Sequence, residues 1–187
     1  MKFALSFLSI ALVQSFAPAA DKDAWYAKAV KSVTATVEPA GAKPGQTVTF
    51  KLEVKLNDGY FTYPLKQVDE NAKSMVNKIA FPKPGTLIFV GDAKDPAGYL
   101  TKSEPAADIL ELRTYKETAT FERKAVVSPG AKPGEATATL ESFKLSVCDA
   151  KTCFPVKLLQ PVAKFKVLEG GVEVAKEYAD EVKKAEK

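Results

Sequence analysis

Apolar and polar residues alternate in several short stretches of the chain. The clearest stretch is residues 47–56, whose apolar face holds Val48, Phe50, Leu52, Val54 and Leu56. Shorter stretches with the same period occur at residues 33–37 and 163–167. A period of two residues predicts strands with one buried and one solvated face, which is typical of antiparallel sheets.

Turn residues separate these strands. The sequence Lys-Pro-Gly occurs at residues 43–45, 83–85 and 132–134, each time just before a strand-like stretch. Pro followed by Gly suits the two central positions of a type II turn. Many short strands between such turns, with no helical periods among them, predict an all-β sandwich.

Two segments depart from this pattern. Residues 91–108 predict a loop that is longer than compact domains usually contain, so it is either an insertion or a cover over another part of the molecule. From Val172 to Lys187, apolar residues recur at spacings of three and four among Glu and Lys, which predicts a short amphipathic C-terminal helix.

The N-terminus predicts export. Residues 1–20 contain a basic start, an apolar run and small residues, which is the pattern of a signal peptide cleaved after Ala19 or Ala20. The run is too short to span a bilayer. We therefore expect a periplasmic or secreted protein with no membrane span in the mature chain, one sandwich domain over 21–168 and a charged helical tail over 169–187.

Composition excludes several functions. The chain has 187 residues, 27 Lys plus Arg, 23 Asp plus Glu and no His. Without an imidazole it has no Ser-His-Asp triad, Cys-His pair or His-ligated metal. The charge of +4 is spread along the chain, and Arg113 and Arg123 are its two arginines. This pattern does not favour nucleic acid as a partner.

Two cysteines are the most distinctive chemistry in the chain. Cys148 and Cys153 bracket four residues and are followed by Phe154-Pro155. A disulfide between them would close a short loop worth roughly 2 kcal/mol, which is little for a structural cross-link. Close spacing suits thiol exchange, in which one thiolate attacks a partner and the other resolves the mixed disulfide. We favour this redox role, and a clip that only pins a hairpin is the alternative.

The strand before the pair predicts which way the sulfurs point. Its apolar phase changes at Glu141-Ser142, as at a β-bulge, and then places Val147 on the core side. Cys148 should therefore face outward as an accessible sulfur. Two sulfurs without histidine are too few ligands for a closed zinc site, so we predict neither a metal nor another cofactor.

Two segments resemble a known family. The first is Asp58-Gly59-Tyr60-Phe61-Thr62-Tyr63, followed by Lys66-Gln67, and the second is Val147 to Pro155. Together they resemble the N-terminal periplasmic domain of the thiol:disulfide interchange protein DsbD, here as a stand-alone domain. The resemblance covers about residues 33–167.

The resemblance implies an immunoglobulin-like antiparallel β-sandwich with a redox disulfide at one end. It implies that Cys153 forms the mixed disulfide with a partner and that Cys148 resolves it. Phe61 and Tyr63 would support the disulfide, and Tyr99, on the predicted loop, would shield it. This chain has one residue fewer between its cysteines than the best-known members of the family.

The expected function is therefore a periplasmic thiol:disulfide exchange module that relays electrons between redox proteins. Its partners would be thioredoxin-like or other periplasmic redox proteins, bound by a transient mixed disulfide, and another protein would supply its electrons. The alternative is an exported immunoglobulin-like binding or structural domain whose short disulfide only pins a hairpin.

Overall fold

The structure, a computed structural model, describes residues 23–187, so the predicted signal peptide lies outside the described residues. The helices are α1 (Ala24–Ala29) and α2 (Ala179–Ala185), and short 3-10 turns occupy Glu70–Ala72 and Pro105–Ala107. The strands are β1 (Val30–Glu38), β2 (Gly41–Ala42), β3 (Thr47–Leu56), β4 (Phe61–Thr62), β5 (Lys78–Ala80), β6 (Leu87–Lys94), β7 (Leu100–Glu104), β8 (Ile109–Lys116), β9 (Thr118–Val127), β10 (Gly134–Thr139), β11 (Ser142–Leu145), β12 (Val147–Cys148), β13 (Lys157–Leu159) and β14 (Val162–Val167).

Two layers of strands enclose the main core. One layer is the antiparallel sheet β1-β3-β9-β6, and the other contains β10-β14-β2 and β13-β11-β5. The β14–β2 pair is parallel, and the other pairs in these sheets are antiparallel. Apolar side chains from both layers form one buried cluster, in which the rings of Phe121 and Phe143 lie 6.2 Å apart. The predicted immunoglobulin-like antiparallel β-sandwich with a short C-terminal helix is confirmed.

The periodic stretches become the strands that they predict. Strand β3 begins and ends at the predicted residues and buries all five of its apolar side chains. At its start, Gln46 N–H donates to the Lys43 carbonyl, closing the predicted turn. Gly45 has φ +84°, and a Cβ there would lie 2.0 Å from the Val172 carbonyl oxygen, so this position requires glycine.

The prediction of a loop over residues 91–108 was wrong. β6 extends to Lys94, and β7 pairs with β8 to form a hairpin at the edge of a further sheet, β12-β4-β8-β7. The side chains of β7 are mostly exposed, so the strand needs no alternation of apolar and polar residues in its sequence. Its backbone pairing with β8 makes it a strand, and the amino-acid pattern carries no sign of that pairing.

The C-terminal helix is shorter than predicted and is not only solvated. It spans Ala179–Ala185, and Val182 is buried against Ile88, Val90 and Val126 on the outer face of β6 and β9. The tail thus covers part of the first layer. Helix α1 was not predicted, because six residues are too few to show a helical period.

Candidate functional site

The two cysteines form a disulfide at one end of the sandwich. Cys148 ends β12, where it lies opposite Phe61 of β4, and Cys153 follows in the loop after that strand. The two cysteines differ in exposure: Cys148 is 1% exposed, whereas Cys153 is exposed. Cys153 therefore lies at the surface, where it lines a groove, whereas Cys148 is enclosed.

The prediction that Cys148 faces outward was wrong. The predicted phase of the strand is correct, since Val147 packs into the main core. Cys148 points away from that core but into a second apolar cluster, formed with Phe61, Tyr63, Ala72, Ile109 and Leu112. Ala72 of the first 3-10 turn and Ile109 and Leu112 of β8 belong to this cluster, so both residues of β12 are buried.

Asp149 organises the loop between the cysteines. Its carboxylate accepts hydrogen bonds from the backbone N–H groups of Lys151 at 2.7 Å and Thr152 at 2.8 Å. Asp149 N–H in turn donates to the Thr152 carbonyl. The hydrogen bonds from Lys151 and Thr152 lower the pKa of Asp149. The loop is thereby held in a tight turn that presents Cys153 at the surface.

Tyr63 contacts both sulfurs. Its Oη lies 3.0 Å from Cys148 Sγ and 3.5 Å from Cys153 Sγ. A disulfide sulfur carries no hydrogen, so the hydroxyl is the donor. Burial, with a smaller effect from the Glu104 carboxylate, raises the pKa of Tyr63 to about 12. The phenol therefore stays protonated throughout the physiological pH range and remains a hydrogen-bond donor to the bond.

A buried polar network holds Tyr63 in place. The Asn77 side chain donates to Thr62 Oγ1 at 2.9 Å and to the Tyr63 carbonyl at 2.6 Å, and it accepts from Ser146 N–H at 2.8 Å. Thr62 Oγ1 donates to the Ser146 carbonyl at 2.8 Å. The network ties β4 to the residue before β12 and so fixes the phenol relative to Cys148. Sequence reasoning missed Asn77, because nothing local distinguishes it from a surface asparagine.

The β7–β8 hairpin forms one wall of a groove beside the disulfide. Lys102 Nζ lies 4.5 Å from the centroid of the Phe61 ring and forms an ion pair with Glu104. The opposite wall is the loop from Asp149 to Cys153. Phe61 also packs edge-on against Tyr63, with ring centroids 5.8 Å apart. Phe61 and Tyr63 are thus brought to the disulfide.

Tyr99 lies elsewhere on the same hairpin region. The guanidinium of Arg113 stacks over its ring at 4.3 Å, and 42% of the tyrosine is exposed. Tyr99 is not among the residues that line the groove. Lys102 and Glu104 instead line the groove together with Cys153, and neither residue was predicted from the sequence.

Aromatic rings support the residue that follows Cys153. Trp25 of α1 stacks on Phe154 with centroids 5.2 Å apart and planes within 5°, and the Tyr60 ring lies 6.0 Å from Phe154. Sequence reasoning missed Trp25. The available signal was that Trp25 is the single tryptophan of the chain and adjoins another aromatic residue.

Residues 23–187 contain no cluster of three or more His, Cys, Asp or Glu side chains placed to bind a metal ion. Over the same residues, no helix has the length and apolar character needed to cross a bilayer.

No family model and no curated protein sequence matches the chain. Among solved structures, it is similar to the N-terminal periplasmic domain of ScsB from Proteus mirabilis, at 16% identity and a TM-score of 0.46. That alignment covers 81% of this chain and 51% of the ScsB chain. A type I cohesin–dockerin complex from Clostridium thermocellum aligns at 13% identity and a TM-score of 0.33, over 74% of this chain and 100% of that one.

Proposed function

We propose that this chain is a periplasmic thiol:disulfide exchange module that relays electrons between redox proteins through the Cys148–Cys153 disulfide. The observation that supports the proposal most directly is the unequal exposure of the two cysteines. An incoming thiolate reaches Cys153, and the buried Cys148 is then in place to leave and later to return. The predicted signal peptide and the disulfide favour an exported protein.

The reaction that reduces the chain has two balanced steps. A partner thiolate attacks Cys153 Sγ and forms a mixed disulfide, while the Cys148–Cys153 bond breaks and Cys148 leaves as a thiolate that takes up a proton. A second thiolate of the partner then attacks the partner's own sulfur in the mixed disulfide and expels Cys153. The partner ends oxidised by two electrons and the chain ends as a dithiol; the reverse sequence passes the electrons to an acceptor disulfide.

Tyr63 supports the departing sulfur in this proposal. Its hydroxyl already donates toward Cys148 Sγ, so the thiolate that forms there meets a hydrogen bond that needs no rearrangement. Phe61 packs against the phenol ring and holds its position. We propose that the β7–β8 hairpin, with Tyr99 just before it, shields the disulfide. Lys102 of this hairpin lies over the Phe61 ring beside the disulfide, and Tyr99 packs against Arg113.

A trapping experiment tests the proposal. In the Cys148→Ser variant, Cys153 keeps its thiol but the chain cannot resolve a mixed disulfide. Expressed with its leader in a Gram-negative host, this variant should accumulate adducts that a reducing agent releases, and the adducts should contain redox proteins. The matched control is Cys153→Ser, which leaves only the buried sulfur and should form none. If the two variants recover the same proteins, the proposed role of Cys153 is refuted.

The reduction potential separates exchange from the alternative, an exported domain in which the disulfide only pins a hairpin. Exchange proteins have potentials of roughly −270 to −120 mV, whereas structural disulfides lie below about −300 mV. We expect a value in the first range, measured by equilibration with glutathione and with dithiothreitol. A value well below the second limit would support the structural clip.

A further inference from the structure

The outer face of the sheet β13-β11-β5 adjoins the disulfide and carries apolar and basic side chains. Leu158, Lys144 and Lys78 are cross-strand neighbours in one row, and all three are exposed. Leu158 is 60% exposed, and Val156 just before β13 is 57% exposed. We call these four residues the β13 face.

The β13 face lies within reach of any protein bonded to Cys153. Leu158 is five residues after Cys153, so their Cα atoms are at most about 18 Å apart. Lys78 is two strands from Leu158, a further distance of about 10 Å. A contact patch of about 800 Å² per partner, the usual size for a specific complex, extends over such distances. A folded protein that reacts with Cys153 has room to contact this face.

The charge on the face is unbalanced. None of the ion pairs found in residues 23–187 involves Lys78 or Lys144. Lys144 lies opposite Leu158 in register and Lys78 lies opposite Lys144 on its other side, so both ammonium groups remain free to meet carboxylates beside Leu158. The groove beside Cys153, by contrast, contains side chains of both positive and negative charge, namely Lys102, Glu104 and Asp149. The excess of positive charge is a property of the β13 face.

We infer that the β13 face docks the redox partner and selects one whose reactive cysteine is bordered by an apolar residue and by acidic groups. This inference rests on the proposed function and names the chemistry of its partner. Val156 and Leu158 would meet the apolar border, and Lys144 and Lys78 would meet the carboxylates. Complementary charge of this kind acts mainly on the rate of encounter and on the choice of partner.

Two peptides test the inference. Each has one cysteine beside a leucine, flanked by glutamates in one peptide and by lysines in the other. The target is the Cys148→Ser variant with Cys153 loaded as a mixed disulfide with thionitrobenzoate. The peptide thiolate attacks Cys153 Sγ and expels the coloured thionitrobenzoate thiolate, whose appearance gives the rate. Each peptide is compared only with itself across variants, so its intrinsic thiol reactivity cancels.

We expect the double reversal Lys78→Glu with Lys144→Glu to slow the acidic peptide about fivefold to tenfold at low salt and to speed the basic one, with both effects reduced at high salt. The matched control reverses Lys83 and Lys132, two exposed lysines in the turns at the opposite end of the sandwich, and should change either rate less than about twofold. Leu158→Ser should slow both peptides about threefold. Reduction by dithiothreitol should not change in any variant.

If reversing Lys83 and Lys132 changed the peptide rates as much as reversing Lys78 and Lys144, the inference would be overturned, because the net charge of the protein would then explain the rates. A dimer that dissociates in the Leu158→Ser variant would assign the face to a second copy of the chain and would also overturn it. Trapping by Cys148→Ser does not depend on these lysines. Adducts without peptide selectivity would therefore refute the docking face alone, whereas a reduction potential in the range of structural disulfides would refute the exchange function itself.

Discussion

Replacing Tyr63 by phenylalanine removes one hydroxyl and leaves the ring in its packing against Phe61. The hydroxyl donates toward Cys148 Sγ at 3.0 Å, and Tyr63 is 3% exposed, so water does not readily replace it. A hydrogen bond to a charged group is worth about 1.5–3 kcal/mol, which corresponds to a rise of about one to two units in the pKa of the Cys148 thiol.

The rise in pKa makes Cys148 a poorer leaving group. If the rate depends on the pKa of the leaving thiol as steeply as on that of the attacking thiol, with a Brønsted coefficient of about 0.4–0.5, exchange slows about threefold to tenfold. Because the pKa of Tyr63 is raised to about 12, the phenol donates at any pH from 5 to 9, and the slowing should persist over that range. Stopped-flow reduction by dithiothreitol measures it, with Trp25, stacked beside the site on Phe154, as the fluorescent reporter.

Tyr115→Phe is the matched control. Tyr115 is also buried, its pKa is also raised to about 12, and its hydroxyl donates to the Pro96 carbonyl at 2.9 Å. Its loss should cost a comparable hydrogen bond without changing the exchange rate. Ultraviolet absorbance of the thiolate, measured with Cys153→Ser in the background so that only one thiol is present, reports the pKa of Cys148. A Tyr63→Phe variant with the rate and thiol pKa of the wild type would refute the role given to the phenol.

Three further predictions concern the scaffold of the site. Asp149→Ala removes the hydrogen bonds that hold the loop closed, so the reduction potential should become less negative; equilibration with glutathione checks this, and an unchanged value would contradict it. Asn77→Leu leaves buried partners unpaired and should lower the free energy of unfolding by about 2–4 kcal/mol in urea titrations, whereas a loss below about 1 kcal/mol would show that the network is dispensable. Backbone N–H groups, chiefly that of Leu110, lower the pKa of Asp69, so its stabilising contribution is complete above its ordinary pKa of about 4 and is lost as pH falls through the lowered value. Asp69→Asn should therefore flatten the fall in stability between about pH 5 and pH 2, and acid unfolding curves parallel to those of the wild type would contradict this.

The sequence alone predicted the strands in which apolar and polar residues alternate. The five apolar side chains of β3 are buried, and so are Leu140 before the phase change at Glu141-Ser142 and Phe143, Leu145 and Val147 after it. Alternation is a local property, because successive side chains of a strand point to opposite faces whatever lies beyond them. The short spacing of Cys148 and Cys153 likewise allowed their pairing to be weighed before any fold was known, and the structure contains that disulfide.

Tertiary structure decided which sulfur is accessible. Alternation showed that Cys148 points away from the main core, and it carried no information about the second apolar cluster that buries Cys148 on that side. The contact between Tyr63 and Cys148 joins residues 85 apart in the chain, and the Asn77 to Ser146 hydrogen bond joins residues 69 apart. Such contacts depend on how the layers pack, and the packing follows from burial summed over the whole chain. The sequence therefore determined the strands and the cysteine pair, whereas the buried and exposed ends of the disulfide exist only in the folded molecule.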